Sequence, residues 1–288
     1  MTVSEVLAML DAERDERGMR NWERLGAGTG GMRSFGIGLT RLRKLAKRVG
    51  RNRELARALW KTDVHDARVI ALLIDDPAQI TREQAERQVE ELDGGMLAHV
   101  FASCDATLAR TSFVVELADE WVRSDDPVRR DCGHGLLYEV SKLSGRKAPD
   151  EAYFLAQVER IADAIGREPE KVRLSMGMAL IGIGKRSAAL NRAALKVARE
   201  TGPIEFTSAS GQCEPFDLVK HLAADRLKEK LGVQGCSAGG SIAPPHRGCR
   251  RGSSPCRASR PAVRARRTPS ARAIARCRRV RVGARRSR

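Results

Sequence analysis

The chain has 288 residues, 42% of them hydrophobic and only 4% aromatic, with a formal net charge of +17. Length and composition allow a sizeable core in an alanine- and leucine-rich helical protein, and no stretch approaches the roughly 18 apolar residues of a membrane span. The charge is uneven. Residues 234–288 hold 16 Arg and no Lys, Asp or Glu, which leaves 37 basic against 36 acidic residues in the rest of the chain. Residues 1–233 are thus close to neutral, and the overall charge alone is no argument for a polyanion partner.

In chain order, hydrophobic periodicity predicts helices near 3–17, 38–49, 52–61, 64–75, 81–93, 96–104, 111–124, 127–143, 151–165, 168–183, 187–200 and 215–231. Helix starts are marked at several points: Thr81 with Gln84 reads as a capping box, and Asp126 followed by Pro127 reads as an N-cap with proline at the first helical position. No alternating strand pattern stands out. The N-terminus has early acidic residues and no long apolar region, so neither export nor a membrane is expected, and a cytoplasmic location follows. Cys104, Cys132 and Cys213 form no CxxC pair and read as reduced thiols.

The helix at 38–49 divides cleanly. Leu39, Leu42, Ala46 and Val49 recur at helical spacing, while Arg41, Arg43, Lys44, Lys47 and Arg48 cover the remainder. One face seeks a core and the other an anionic partner such as DNA. Three later helices resemble one another: Asp66 to Ile74, Pro127 to Val140 and Pro169 to Ile183, each with an early arginine, namely Arg68, Arg130 and Arg173. Helices apolar around most of their circumference belong to an inner layer, and stacked outer and inner helices make an α-solenoid; an irregular helical bundle is the alternative. Residues 233–288 lack Leu, Phe, Tyr, Trp and Met from position 234 onward, so they are expected to be disordered. Their Arg, Ala, Gly and Pro content fits either a basic tail or a shifted reading frame in a GC-rich gene. The domain division expected is an N-terminal helix with a glycine-rich linker at 1–34, the helical domain at 35–232 and the tail at 233–288.

Several motifs fail. Gly26, Gly28 and Gly31 fit GxGxxG, but the preceding RNWERL is charged and helical and not a buried strand, so a linker is expected. Gly184 and Lys185 imitate the end of a phosphate loop, yet Arg186 precedes Ser187 and Ala179 stands where the first glycine is needed. No HExxH, GxSxG or close Cys/His set is present, so neither a metal nor a cofactor is expected. His99 and His134 read as packing residues, as do Trp60 and Trp121. Lys185 and Arg186, just past an apolar helix, fit either phosphate contacts or a solvated helix end.

The stretches FGIGLTRLRKLAK (Phe35 to Lys47), ELARALWKTDVHDARVIALLIDDP (Glu54 to Pro77), EEL (Glu90 to Leu92), DEWVRSDDPVRRDCGHGLL (Asp119 to Leu137), MALIGIGKR (Met178 to Arg186) and CEPFD (Cys213 to Asp217) carry a resemblance. In this order they are similar to the DNA alkylation repair family of HEAT-like repeat proteins, the AlkD-like group, from about Trp22 to Gly232. The resemblance implies an all-α, right-handed α-solenoid of HEAT-like repeats with duplex DNA in a basic concave cleft. Active members hydrolyse the N-glycosidic bond of cationic alkylated purines, using a carboxylate to stabilise the oxocarbenium-like sugar. Here the family's Trp and Asp fall on Gly95 and His99, and a second Trp falls on Met178, while Arg130 keeps its type. Asp93 or Glu91 is the nearest substitute carboxylate in sequence. The resemblance implies phosphate contacts at Arg130, Lys185 and Arg186, beside the basic Arg43, Lys44 and Lys47. The expected partner is duplex DNA, alkylated or not, with either excision or binding alone as the outcome, or else a protein on the concave face. DNA binding would place the protein at the nucleoid.

Overall fold

The computed structural model describes residues 1–93, 95–208, 211–212 and 214–232, so Gly94, Ala209, Ser210, Cys213 and the whole of the 233–288 segment lie outside the described residues. The described chain forms helices α1 (Val3–Ala12), α2 (Glu16–Glu23), α3 (Leu39–Val49), α4 (Arg53–Trp60), α5 (His65–Ile74), α6 (Arg82–Glu90) and α7 (Gly95–Ala102). It continues through α8 (Val114–Trp121), α9 (Pro127–Val140), α10 (Glu151–Ala164), α11 (Glu170–Gly184), α12 (Ala188–Thr201), α13 (Leu218–Leu222) and α14 (Asp225–Leu231). From α4 onward the helices form two layers. Helices α5, α7, α9, α11 and α13 pack side by side in chain order, with α4 on α5, α8 on α9, and α12 on α11.

The inner layer follows from its composition. Eight of the ten residues of α5 are buried, and α11 buries Val172, Met176, Ala179, Leu180, Ile181 and Ile183 around most of its circumference. Such helices cannot face water on any broad side and are stable only between neighbours. The three helices singled out by their similarity are α5, α9 and α11, all in this layer. Between layers runs an aromatic file of Trp60, Phe101 and Trp121, with ring centroids 6.3 and 6.0 Å apart.

A repeated corner joins outer to inner helix. Arg68 Nε donates to Thr62 O at 2.9 Å, and Arg130 Nη1 donates to Ser124 O at 2.8 Å, in each case six residues back in the chain. The tryptophan ending the outer helix is also tied down: Trp60 Nε1 donates to Glu91 at 2.8 Å and Trp121 Nε1 to Glu86 at 2.9 Å. Each corner thereby satisfies carbonyls that the end of an outer helix leaves without partners. Close approach does the rest. A Cβ on Gly133 would stand 2.6 Å from Val122 N, and one on Gly182 would collide with Ser141 Oγ, so α9 meets α8 and α11 at distances only glycine permits.

Three boundaries differ from the periodicity. The segment 3–17 is broken because Asp15 caps α2, accepting from Arg17 and Gly18 at 3.0 Å while its own N–H donates to Phe35 O. Segment 215–231 is two helices, since Leu222 O at the end of α13 accepts from the buried Asn191 amide at 3.1 Å. A two-residue hairpin, Thr207–Ser208 with Gly211–Gln212, is too short to leave an alternating pattern. The glycine-rich stretch contains a single 3-10 turn, Gly26–Thr29. Helix α1 contributes Val6 and Leu10 to the common core, and the loop before α3 is clamped by the buried Asp66 carboxylate, which accepts from Ser34 Oγ, Phe35 N–H and Ile37 N–H at 2.7, 2.8 and 3.0 Å.

Replacing Gly133 by alanine is expected to force α8 from α9 and to lower the unfolding free energy by about 2 kcal/mol, the range typical of overpacking. A chemical denaturation curve measures this, and an unchanged midpoint would contradict the close-approach account.

Candidate nucleic-acid interface

Because the inner helices bury most of their surface, few of their side chains remain open. On α7 these include Met96 and His99; on α9, Asp131, Gly135 and Tyr138; on α11, Lys171 and Met178. Spacings of 3, 4 and 7 residues put each set on one helix face. Lys142 and Lys185 continue the two stripes just beyond the helix ends. Gly135 lets α9 lie against α7, since a Cβ there would be 2.8 Å from that of Ala102.

The face is electrostatically divided. Burial pushes the Asp131 carboxyl up to about 6, against the opposing pull of the Ser175 hydroxyl, His99 and Lys171. At the other end, burial lowers the Lys185 ammonium from its ordinary value and the neighbouring Lys142 and Lys230 lower it further, the mark of like charges gathered together. Lys185 itself is exposed. An anion bridging these lysines would relieve their repulsion.

A second basic feature borders this face. An open groove of about 390 Å³ lies between α3 and the turn after α7, lined by Arg43, Lys47, Arg51, Asp105 and Arg110. Arg43 Nε pairs with Asp105 at 3.1 Å and donates to Cys104 O at 3.4 Å, which ties α3 to that turn. Arg51 donates to Asp75 O. Lys44, Lys47 and Arg110 are exposed and, among the described residues, have no ion-pair partner. The amphipathic α3 thus places its apolar side, Leu42, Leu45 and Ala46, in the core and two of its cations, Arg43 and Lys47, on the groove.

Groove and inner face meet at His99 and Cys104. Cys104 Sγ lies 3.2 Å from His99 Nε2, and both Cys104 and Asp105 have left-handed backbone, with φ of 59° and 70°. His99, read from sequence as a packing residue, is exposed at this junction. The hydrogen bond to Cys104 raises its pKa above the ordinary value, burial opposes this, and Asp131 and Glu139 add to the rise.

The remaining expected site residues are dispersed. Arg130 is occupied: its guanidinium bonds Glu168 at 3.0 and 3.1 Å and the carbonyls of Ser124 and Asp125 at 2.8 Å, so the expectation that it grips phosphate gives way to its use as a repeat corner. Arg186 is likewise inward, donating to Ser141 O and Leu143 O at 2.6 and 2.9 Å and lying 4.3 Å from the Phe154 ring centroid. Gly95 opens α7 with φ of 72°, a conformation that a tryptophan adopts only with strain. Glu91 is held by Trp60 and by Arg68 at 4.0 Å, whereas Asp93 is exposed on the turn before α7. His134, Trp60 and Trp121 are buried, as expected of packing residues; burial drives His134 down to about 4 while its Nδ1 contacts Arg130 O at 2.8 Å. No helix among the described residues is long and apolar enough to cross a membrane, and none of their His, Cys, Asp and Glu side chains gather in threes that could hold a metal ion.

A family model described as DNA alkylation repair enzyme matches residues 6–208, well over half of the chain. The chain belongs to the DNA alkylation repair enzyme family. Similar proteins include an uncharacterized protein of Listeria monocytogenes, 24% identical over 206 residues that cover 68% of this chain and 85% of the relative. Another, uncharacterized in Listeria innocua, is 22% identical over 202 residues, covering 67% and 83%. A solved structure is similar with a TM-score of 0.67 at 22% identity, covering 81% of this chain and 97% of the other. That protein is described as one of a new family related to the HEAT-like repeat DNA glycosylases with affinity for branched DNA structures. The fold of this family member is therefore the HEAT-like helical repeat.

Two residues of the site were not singled out from sequence as functional. Asp131 lies in a run of charges, RRD, where nothing marks which charge faces inward; Cys104 lies five residues from His99, a separation that brings them together only because the chain turns left-handed after α7.

The sign of the Asp131 shift sets a pH test. The folded state holds this proton more tightly than the unfolded chain, so the residue's contribution to stability is lost as pH rises from about 4 to about 6 and is flat above. Relative to Asp131→Asn, the wild type is expected to lose urea resistance across that window. Parallel pH curves for the two proteins would contradict the assignment.

Proposed function

We propose that this family member binds DNA through the phosphate backbone, along the groove of α3 and the adjoining inner face, without excising bases through the family's usual positions. The observation that carries the reading is the set of exposed cations Lys47 and Arg110, beside Arg43 and Arg51, on one open groove, with the exposed Lys44 on the same helix α3. Backbone cations position a duplex without reading its sequence, and form-selective recognition needs no more than their correct spacing. Support for DNA as the anion comes from the family and from the affinity for branched DNA ascribed to the structural neighbour.

Excision is a poorer fit. The position of the family's carboxylate, which stabilises a developing sugar cation, holds His99, and the family's two tryptophan positions hold Gly95 and Met178. One observation favours a second reading: Asp131, next to His99, places a carboxylate on the same face and is mostly ionised above about pH 6. In that reading Asp131 serves as the substitute for the missing aspartate.

Binding by the full chain is compared with that by the chain cut after Gly232, so that the 16 arginines beyond position 233 do not imitate a site. The shortened chain is expected to bind duplex and four-way-junction DNA with affinity falling steeply in salt. Each phosphate contact contributes about 0.9 to the slope of log K against log salt, so Lys47→Gln is expected to flatten it by about one unit. No release of 7-methylguanine or 3-methyladenine above the spontaneous rate is expected. Release abolished by Asp131→Asn would establish the second reading, and absence of DNA binding at low salt would remove the first.

A further inference from the structure

We propose that Cys104 and His99 form a thiolate–imidazolium pair, a modification site that takes up soft alkylating electrophiles at sulfur. The inference is independent of DNA binding. It rests on a cluster of groups: sulfur and imidazole nitrogen are 3.2 Å apart, the Ser103 hydroxyl is 3.5 Å from the same sulfur, and Arg43 holds the Cys104 carbonyl at 3.4 Å. Asp131 and Glu139 of α9 are close enough for their charges to favour the protonated imidazole. Cys104 is half-buried and His99 exposed, so a small reagent reaches the pair from the rim of the basic groove.

The surroundings favour separated charges. Burial alone would push the Cys104 thiol up, but the hydrogen bonds from His99 and Ser103 and the positive charges of His99 and Arg43 outweigh it, leaving the thiol below its ordinary value. His99 is shifted the opposite way by the same hydrogen bond, so each group favours the charged form of the other, the direction that transfer of the thiol proton to the imidazole requires. The contrast is Cys132, fully enclosed on α9 with its sulfur 3.8 Å from Ala98 O; burial drives its thiol well up, so it stays protonated and unreactive. The left-handed backbone at Cys104 and Asp105 is what turns the sulfur back onto α7.

The reaction balances without a further reagent. The thiolate sulfur attacks the electrophilic carbon, an S–C bond forms, the bond from carbon to its leaving group breaks, and the leaving group departs with the electron pair. His99 keeps its proton and loses its anionic partner. The sulfur becomes a neutral thioether on the residue whose carbonyl anchors Arg43, at the edge of the groove.

The test is the rate of Cys104 alkylation by iodoacetamide in the full-length protein, resolved by peptide mass spectrometry between pH 6 and 8, with glutathione in the same solution as an ordinary thiol. At pH 6 Cys104 is expected to react about tenfold faster than glutathione, and its rate to stay nearly level to pH 8, while that of glutathione climbs about tenfold per unit. Cys132 is expected to remain unmodified. In His99→Gln the Cys104 rate at pH 6 is expected to fall to the glutathione value and its pH slope to match that of glutathione. Should that variant lose its helical circular dichroism, the wild-type profile decides alone. A wild-type Cys104 rate that parallels glutathione across the range, or stays below it throughout, overturns the proposal.

Discussion

The structure depends on how closely α9 is allowed to approach its neighbours. Gly133 brings it onto the backbone of α8, Gly135 onto α7, and Gly182 of α11 receives Ser141 and Tyr138 from the α9 end. Because α7, α9 and α11 are held this near, their open side chains form one surface, and His99, Asp131, Lys171, Met178 and Lys185 can share it. No single repeat buries its own apolar faces; each relies on the next. The arginine and tryptophan corners at 60–68 and 121–130 fix the angle of each pair with bonds that neither helix could supply to itself.

Charge is spent locally. Many arginines that look available in the sequence are committed inside the fold: Arg129 pairs with Glu86 and Glu90, Arg130 with Glu168, and Arg53 with Asp75. Such pairs position helices and leave little field outside the molecule. Two groups of outward cations stand out, the α3 groove and the cluster of Lys185 and Lys230 with Lys142, the last of which pairs with Glu139 at 2.8 Å. The near neutrality of residues 1–233 is thus compatible with local anion binding, because grouping and not total charge sets the local potential.

The fold was largely readable from the residues. The apolar circumference of α5, α9 and α11 announced an inner layer, and Thr81, Asp126 and the amphipathic α3 fell where their patterns put them. Breaks at Asp15 and Leu222 escaped, because each depends on a partner distant in sequence, Phe35 in one case and Asn191 in the other. The site was less readable. Arg43, Lys44 and Lys47 are outward as their helix face required, yet Arg130 and Arg186, of the same type, turn inward to carbonyls contributed by other turns. A composition cannot distinguish those two fates. Likewise, the substitutions at Gly95 and His99 read as simple losses in sequence, whereas α7 opens on a positive φ at Gly95 and has the Cys104 sulfur against His99 near its other end.

The central claim is that DNA lies on the groove of α3 and the inner face. Hydrogen–deuterium exchange of the chain cut after Gly232, with and without a DNA junction at low salt, tests this most directly. The account predicts slowed exchange at residues 39–51, 104–110 and around Lys185, with the outer helices α6, α8 and α10 unchanged. Protection confined to the outer helices, with the groove unaffected, would contradict it.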